Sequence, residues 1–130
     1  PPQAASLPIG DALVAAAAKR GLRLKVIGST DLTHFGRNYG MQSHGRGAQA
    51  LEWVREHNDR RIINAMLELD GPGVIAEALA NDNACCAGAA ATALTAATAL
   101  GAGDPMVLSY TTSHEKSPGD SFVGYVGILL

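Results

Sequence analysis

The chain predicts an α/β domain, a layered α/β/α arrangement, and three observations carry that expectation. Segments of helical length that are alanine-rich or amphipathic alternate with short apolar runs of strand length. The run Leu22–Gly28 breaks abruptly into Ser29, Thr30, Asp31 and His34 before Gly36, a polar cluster of the kind that gathers where strands of an open α/β sheet end. A length of 130 residues, with 47% hydrophobic and 17% charged, suits one core and therefore a single domain over residues 1–130.

Taken in order, Asp11–Lys19 reads as a helix stopped at Gly21, and Leu22–Gly28 as a buried strand. A polar loop follows over Arg37–Gly47. In Ala48–His57, Leu51 and Val54 share a face while Glu52, Arg55 and Glu56 lie opposite, with Trp53 near the apolar edge, which predicts an amphipathic helix. Asp59 is placed to cap a second helix carrying Ile62, Ile63, Met66 and Leu67. Gly71-Pro72-Gly73 is expected to interrupt before a short helix over Val74–Leu79. Cys86–Leu100 is an alanine-rich helix whose small side chains allow close approach of a neighbour, ended by Gly101-Ala102-Gly103. Met106–Thr112 and Phe122–Leu130 follow one another without a helix and predict an antiparallel pair at one side of the sheet.

Charge and composition narrow the function classes. A net charge of −2, scattered lysines and arginines, and no aromatic residues interleaved with a basic patch argue against nucleic acid as a partner. The uncharged stretch Asn83–Gly103 is long enough to raise a membrane span, but it is built from Ala, Thr and Gly, so a packed internal helix is expected and no membrane partner. The start PPQAASLPIG lacks a basic region leading into a strongly apolar one, and Cys85 and Cys86 are the only cysteines. Reduced thiols in a cytoplasm fit that pattern. Motifs for nucleotide loops, zinc proteases and α/β-hydrolases are absent.

The chemistry-bearing residues are few. Asp31 and His34 form a D-x-x-H pair, suited to an oriented acid/base or to a metal ligand with a supporting carboxylate; the bland alternative is a helix N-cap at Thr30 or Asp31. Cys85 and Cys86 stand where Asn81-Asp82-Asn83 gives way to a helix, a setting whose peptide N–H groups favour a thiolate, with plain packing as the alternative. His44, Tyr110 and Ser113 are further candidates for the rim of the same pocket, against the ordinary roles of a solvated loop histidine and a packed aromatic.

STDLTHFG followed by NYG resembles the signature of Memo-like proteins, the AmmeMemoRadiSam system protein B group. The similarity continues through LELD at Leu67–Asp70, the Asn83–Gly88 cysteine element, LSYTTS at Leu108–Ser113 and the closing VGYVGILL. It implies the carboxyl-terminal half of a larger domain whose fold is similar to class III extradiol dioxygenases. It further implies a metal pocket to which Asn83-x-x-Cys86 supplies a thiolate beside His34, with Cys85 taking that role if the register shifts by one, Asp31 orienting the histidine and His34 as ligand or proton carrier. Iron as Fe(II), or copper, suits that soft donor set, and zinc is a further candidate. The corresponding chemistry is an O2-dependent, dioxygenase-like oxidation. The alternative is a non-enzymatic module holding a protein or peptide in the same cleft, through Phe35, Tyr39 and Trp53.

His34 and Cys86, even with Asp31, make a sparse site for these metals, and the family's other histidine motifs lie in an amino-terminal half. The opening PPQAASLPIGDAL resembles an interior linker and has no initiator methionine. A piece of a longer protein is therefore expected; the alternatives are a partner chain that supplies the missing half, or a lost metal site.

Overall fold

A computed structural model describes residues 4–130. Helices and a three-stranded sheet make an α/β domain, as the segment pattern predicts. The helices are α1 (Leu7–Lys19), α2 (Gly47–Trp53), α3 (Asp59–Leu67), α4 (Gly71–Asn81) and α5 (Ala87–Ala99); the strands are β1 (His34–Phe35), β2 (Met106–Thr112) and β3 (Phe122–Leu129). The sheet is antiparallel throughout in the order β1-β3-β2. The expected antiparallel pairing of the last two strands is present, with Met106 opposite Leu129 and Thr112 opposite Gly124.

Helix α1 begins four residues before the expected Asp11, because Pro8 in its first turn is tolerated where the N–H has no intrahelical partner. It stops at Gly21, whose φ of 63° supplies the left-handed turn. Helix α5 takes α1 at close range. At Gly10 a side chain has no room, since an added Cβ stands 2.7 Å from the Ala96 nitrogen and collides with Thr95. The alanine face of α5 thus does what its small side chains suggest.

Three expected features are not formed. Leu22–Gly28 is not a strand: the segment is without regular structure, and Ile27 is 93% exposed. A strand exists only when a neighbour accepts its ladder of hydrogen bonds, and none of the described residues does so here. Asp59 is not an N-cap. Helix α2 runs through a π-helical turn over Val54–Asn58 straight into α3, so the backbone at Asn58 and Asp59 is already helical and leaves no end to cap. Gly71-Pro72-Gly73 does not interrupt but forms the first turn of α4, where Asp70 caps by accepting a 2.9 Å bond from the Gly73 N–H.

Two cores hold these elements. Ile62, Ile63 and Met66 of α3, Val74 and Ala78 of α4, and Ala90 and Leu94 of α5 close over Leu32, with Tyr110, Val126 and Ile128 packed against them from the sheet. Phe35, Phe122, Ala50 and Val54 form the second, Phe35 stacking on Phe122 at 5.5 Å. Burying a phenylalanine contributes about 1.5–3 kcal/mol. Phe35 therefore anchors β1, whose two ladder pairs alone give it little hold.

Candidate metal centre

The D-x-x-H pair stands at the entrance to β1 rather than at the end of a preceding strand. Leu32 N–H donates to the Gly124 carbonyl at 2.9 Å, and Gly124 N–H donates to the Thr33 carbonyl at 3.0 Å. Leu32, Thr33 and Phe35 are buried by this docking, while Asp31 and His34 stay partly open. Side chains three apart leave opposite faces of a regular strand. Because regular strand begins only at His34, Asp31 and His34 turn toward each other, with His34 Nε2 3.4 Å from Asp31 Oδ2. That approach misses hydrogen-bond alignment: His34 Nε2 is shielded from solvent and has no hydrogen-bond partner among the described residues. Neither residue caps a helix.

A second loop, between α4 and α5, is stitched to the first. Cys85 N–H donates to the Asp31 carbonyl at 3.2 Å, and Cys86 N–H donates to Thr30 Oγ1 at 2.9 Å. This brings the Cys85 sulfur, and not that of Cys86, into a group with Asp31 and His34 whose ligand atoms all lie within 4.8 Å of one another. His34 and Cys85 also line one cavity of about 330 Å³, with Asp82 and Leu79 at its wall. Tyr39 packs edge-on against the His34 ring at 4.9 Å.

Both cysteines are free and exposed. The helix-terminal position of Cys86 was expected to favour its thiolate, but the thiol is pushed up instead. Its hydrogen bond with the Cys85 side chain is the first cause, followed by the charge of Cys85, burial and the charge of Asp31. A neighbouring sulfur and a nearby carboxylate disfavour a negative charge on Cys86.

The remaining candidates are placed elsewhere. His44 stacks flat on Trp53 at 3.6 Å in the exposed loop before α2. Tyr110 donates its hydroxyl to Asp59 Oδ2 at 2.7 Å, and Ser113 Oγ accepts from Val123 N–H at 3.0 Å. Neither Tyr110 nor Ser113 lines the cavity that His34 and Cys85 share.

Behind the site lies a buried polar cluster that sequence reasoning missed. Asp59 Oδ1 accepts from both the backbone N–H and the hydroxyl of Thr33, the residue immediately before His34. Asn58 Nδ2 donates to Thr33 Oγ1 and to the Asn81 carbonyl, and Asn83 Nδ2 donates to the Asn58 carbonyl. The cluster therefore grips both loops that carry the candidate ligands. A π turn is often found at functional sites. Here it accompanies the burial of two consecutive polar residues, Asn58 and Asp59. Burial raises the Asp59 carboxyl above its usual range, against the lowering effect of the Thr33 and Tyr110 bonds. The available signal was the polar pair Asn58-Asp59 just ahead of the apolar Ile62-Ile63 face.

Cys85, His34 and Asp31 supply one soft and one intermediate donor and one hard oxygen, a set that accepts zinc or a first-row redox metal. The shielded, unpartnered Nε2 fits such a role, because a buried ring nitrogen without a partner is costly unless a ligand completes it.

A family model described as Memo-like protein matches residues 4–129. MEMO1 family proteins are similar over nearly the whole chain. That of Pyrococcus furiosus is 32% identical over 127 residues, 96% of this chain and 44% of the relative. Those of Pyrococcus abyssi and Methanosarcina barkeri are each 34% identical, over 94% of this chain, covering 43% and 42% of the relatives. The chain thus spans less than half the length of the curated relatives it matches. With the signature element at Ser29–Gly36 and the match over residues 4–129 in agreement, the chain belongs to the Memo-like protein family.

Proposed function

We propose that the chain contributes a metal site, with Asp31, His34 and Cys85 as its ligands and Fe(II) or copper as its metal. The observation that carries this is the convergence of three donor atoms within 4.8 Å from two loops that backbone hydrogen bonding holds together. Thiolate beside imidazole favours Cu(I) or Fe(II) over magnesium or calcium, and zinc is the competing occupant. Cys85 takes the ligand role that the family resemblance assigned to Cys86. A bound metal of this kind would supply redox or Lewis-acid chemistry, and O2-dependent oxidation is the reaction class that the resemblance of Memo-like proteins to extradiol dioxygenases implies. In that arrangement a ring nitrogen of His34, the Cys85 sulfur and a carboxylate oxygen of Asp31 would hold the metal, and Leu79 and Ile75 keep one wall of the cavity apolar. Free thiols at the site match a reducing compartment such as the cytoplasm.

A second reading, a peptide held in the same cleft without catalysis, has one observation in its favour: Tyr39, packed on His34, is 48% exposed.

Anaerobic titration of the reduced chain with Cu(I), Fe(II) and Zn(II), read by native mass spectrometry, separates these readings. One metal ion per chain is expected, lost in His34→Ala and Cys85→Ala and kept in Cys86→Ala. Equal metal affinity in all three variants, or none in the unsubstituted chain, overturns the ligand assignment. The absence of metal together with a peptide affinity that falls in Tyr39→Ala establishes the second reading.

A further inference from the structure

The segment expected to be a strand and the unpaired side of β3 face each other across a groove. Antiparallel contact between the incoming chain and β3 ends at Leu32, Thr33 and Gly124, beyond which the two backbones fork. Gly124 exchanges hydrogen bonds on this side of β3, so the N–H and C=O groups of Val126 and Ile128, two and four residues on, point the same way. On the other prong, no backbone group of residues 23–30 has a backbone partner among the described residues. Between the prongs is a groove of about 690 Å³ lined by Val26 and Ile27 on one side, Val126 and Ile128 on the other, and Ala93 and Ala97 of α5.

We propose that this groove seats a β-strand from the part of a Memo-like domain that the relatives carry outside the matched region. Unpaired main-chain groups on both walls call for an occupant with regularly spaced donors and acceptors along its length, which an extended peptide has and a packed helix lacks. The alanine surface of α5 leaves room for branched apolar side chains, so the occupant is an apolar strand rather than a charged one. The source is set by length: the matched relatives share only 42–44% of their own chains with this one, so more than half of each lies outside the match. Seated there, the strand gives residues 23–30 the ladder they lack, covers Ile27, and turns the fork into continuous sheet. The inference uses no metal and stands apart from the ligand assignment above.

The test is a chimera in which residues 4–129 replace the matched region of the Pyrococcus furiosus relative, compared with the isolated chain by amide hydrogen exchange and by mass in solution. The expected result is a monomeric chimera in which amides of residues 25–28 and of Val126 and Ile128 exchange an order of magnitude more slowly than in the isolated chain. In the chimera carrying Ala97→Leu, which narrows the groove, that protection falls while α5 amides stay protected. Equally fast exchange at these amides in both proteins, with α5 protected in each, overturns the proposal. Protection that appears in the isolated chain only as it dimerises also overturns it, by assigning the groove to a second copy.

Discussion

Thr33 gives both its backbone N–H and its hydroxyl to one carboxylate oxygen of Asp59, a residue 26 positions later in the chain. The pair fixes the backbone just before His34 from behind, while Asn58 and Asn83 extend the same cluster to the loop bearing Cys85. The candidate ligands are thus positioned by groups that sit in the interior and do not line their cavity.

Replacing Thr33 by valine keeps the shape and removes the hydroxyl. Asp59 loses a donor, and Asn58 Nδ2 loses its Thr33 acceptor in a buried setting. A loss of about 1–3 kcal/mol is expected, read as a lower urea midpoint with an unchanged slope.

Asp59 gives a pH dependence with a definite sign. Its folded-state pKa is raised above the ordinary 3.8, so the folded chain binds that proton more tightly than the unfolded one. The associated stability is complete below the unfolded value and drains away as pH rises through the folded one. Asn at this position keeps a carbonyl oxygen for Thr33 and carries no charge. Unfolding measured between pH 4 and 7 should therefore show Asp59→Asn gaining on the unsubstituted chain as pH rises; parallel profiles would contradict the assignment.

The two thiols should respond differently to metal. Zinc added before alkylation is expected to protect Cys85 and leave Cys86 open, because only the Cys85 sulfur shares the group with Asp31 and His34. Labelling of Cys86 should also need higher pH than a free thiol does, since its pKa is raised. Site-resolved mass spectrometry of the labelled peptides checks both outcomes.

Gly10→Val tests the contact between α1 and α5. Its side chain meets Thr95 and the Ala96 backbone, neither of which can swing aside as a flexible tip would. A destabilisation of about 1–3 kcal/mol is expected by calorimetry or denaturant unfolding.

Local rules made much of the fold legible. Gly21 ends α1, alanines make α5 a close-packing helix, and two apolar runs with no helix between them pair antiparallel. The STDLTHFG element likewise exposed Asp31 and His34 as chemistry before any fold was known. These features depend on residues near one another in the chain.

What only the tertiary structure decided depends on residues far apart. Which thiol joins His34 follows from the docking of the Cys85 N–H on the Asp31 carbonyl, and adjacent identical side chains carry no local mark of it. The inward role of Asp59 arises because an uninterrupted helix carries it to Thr33 and Tyr110, whereas its neighbours in sequence suggested a cap. Leu22–Gly28 has the apolar character of a strand, yet a strand is a property of two backbones: without a ladder partner, composition alone cannot form one.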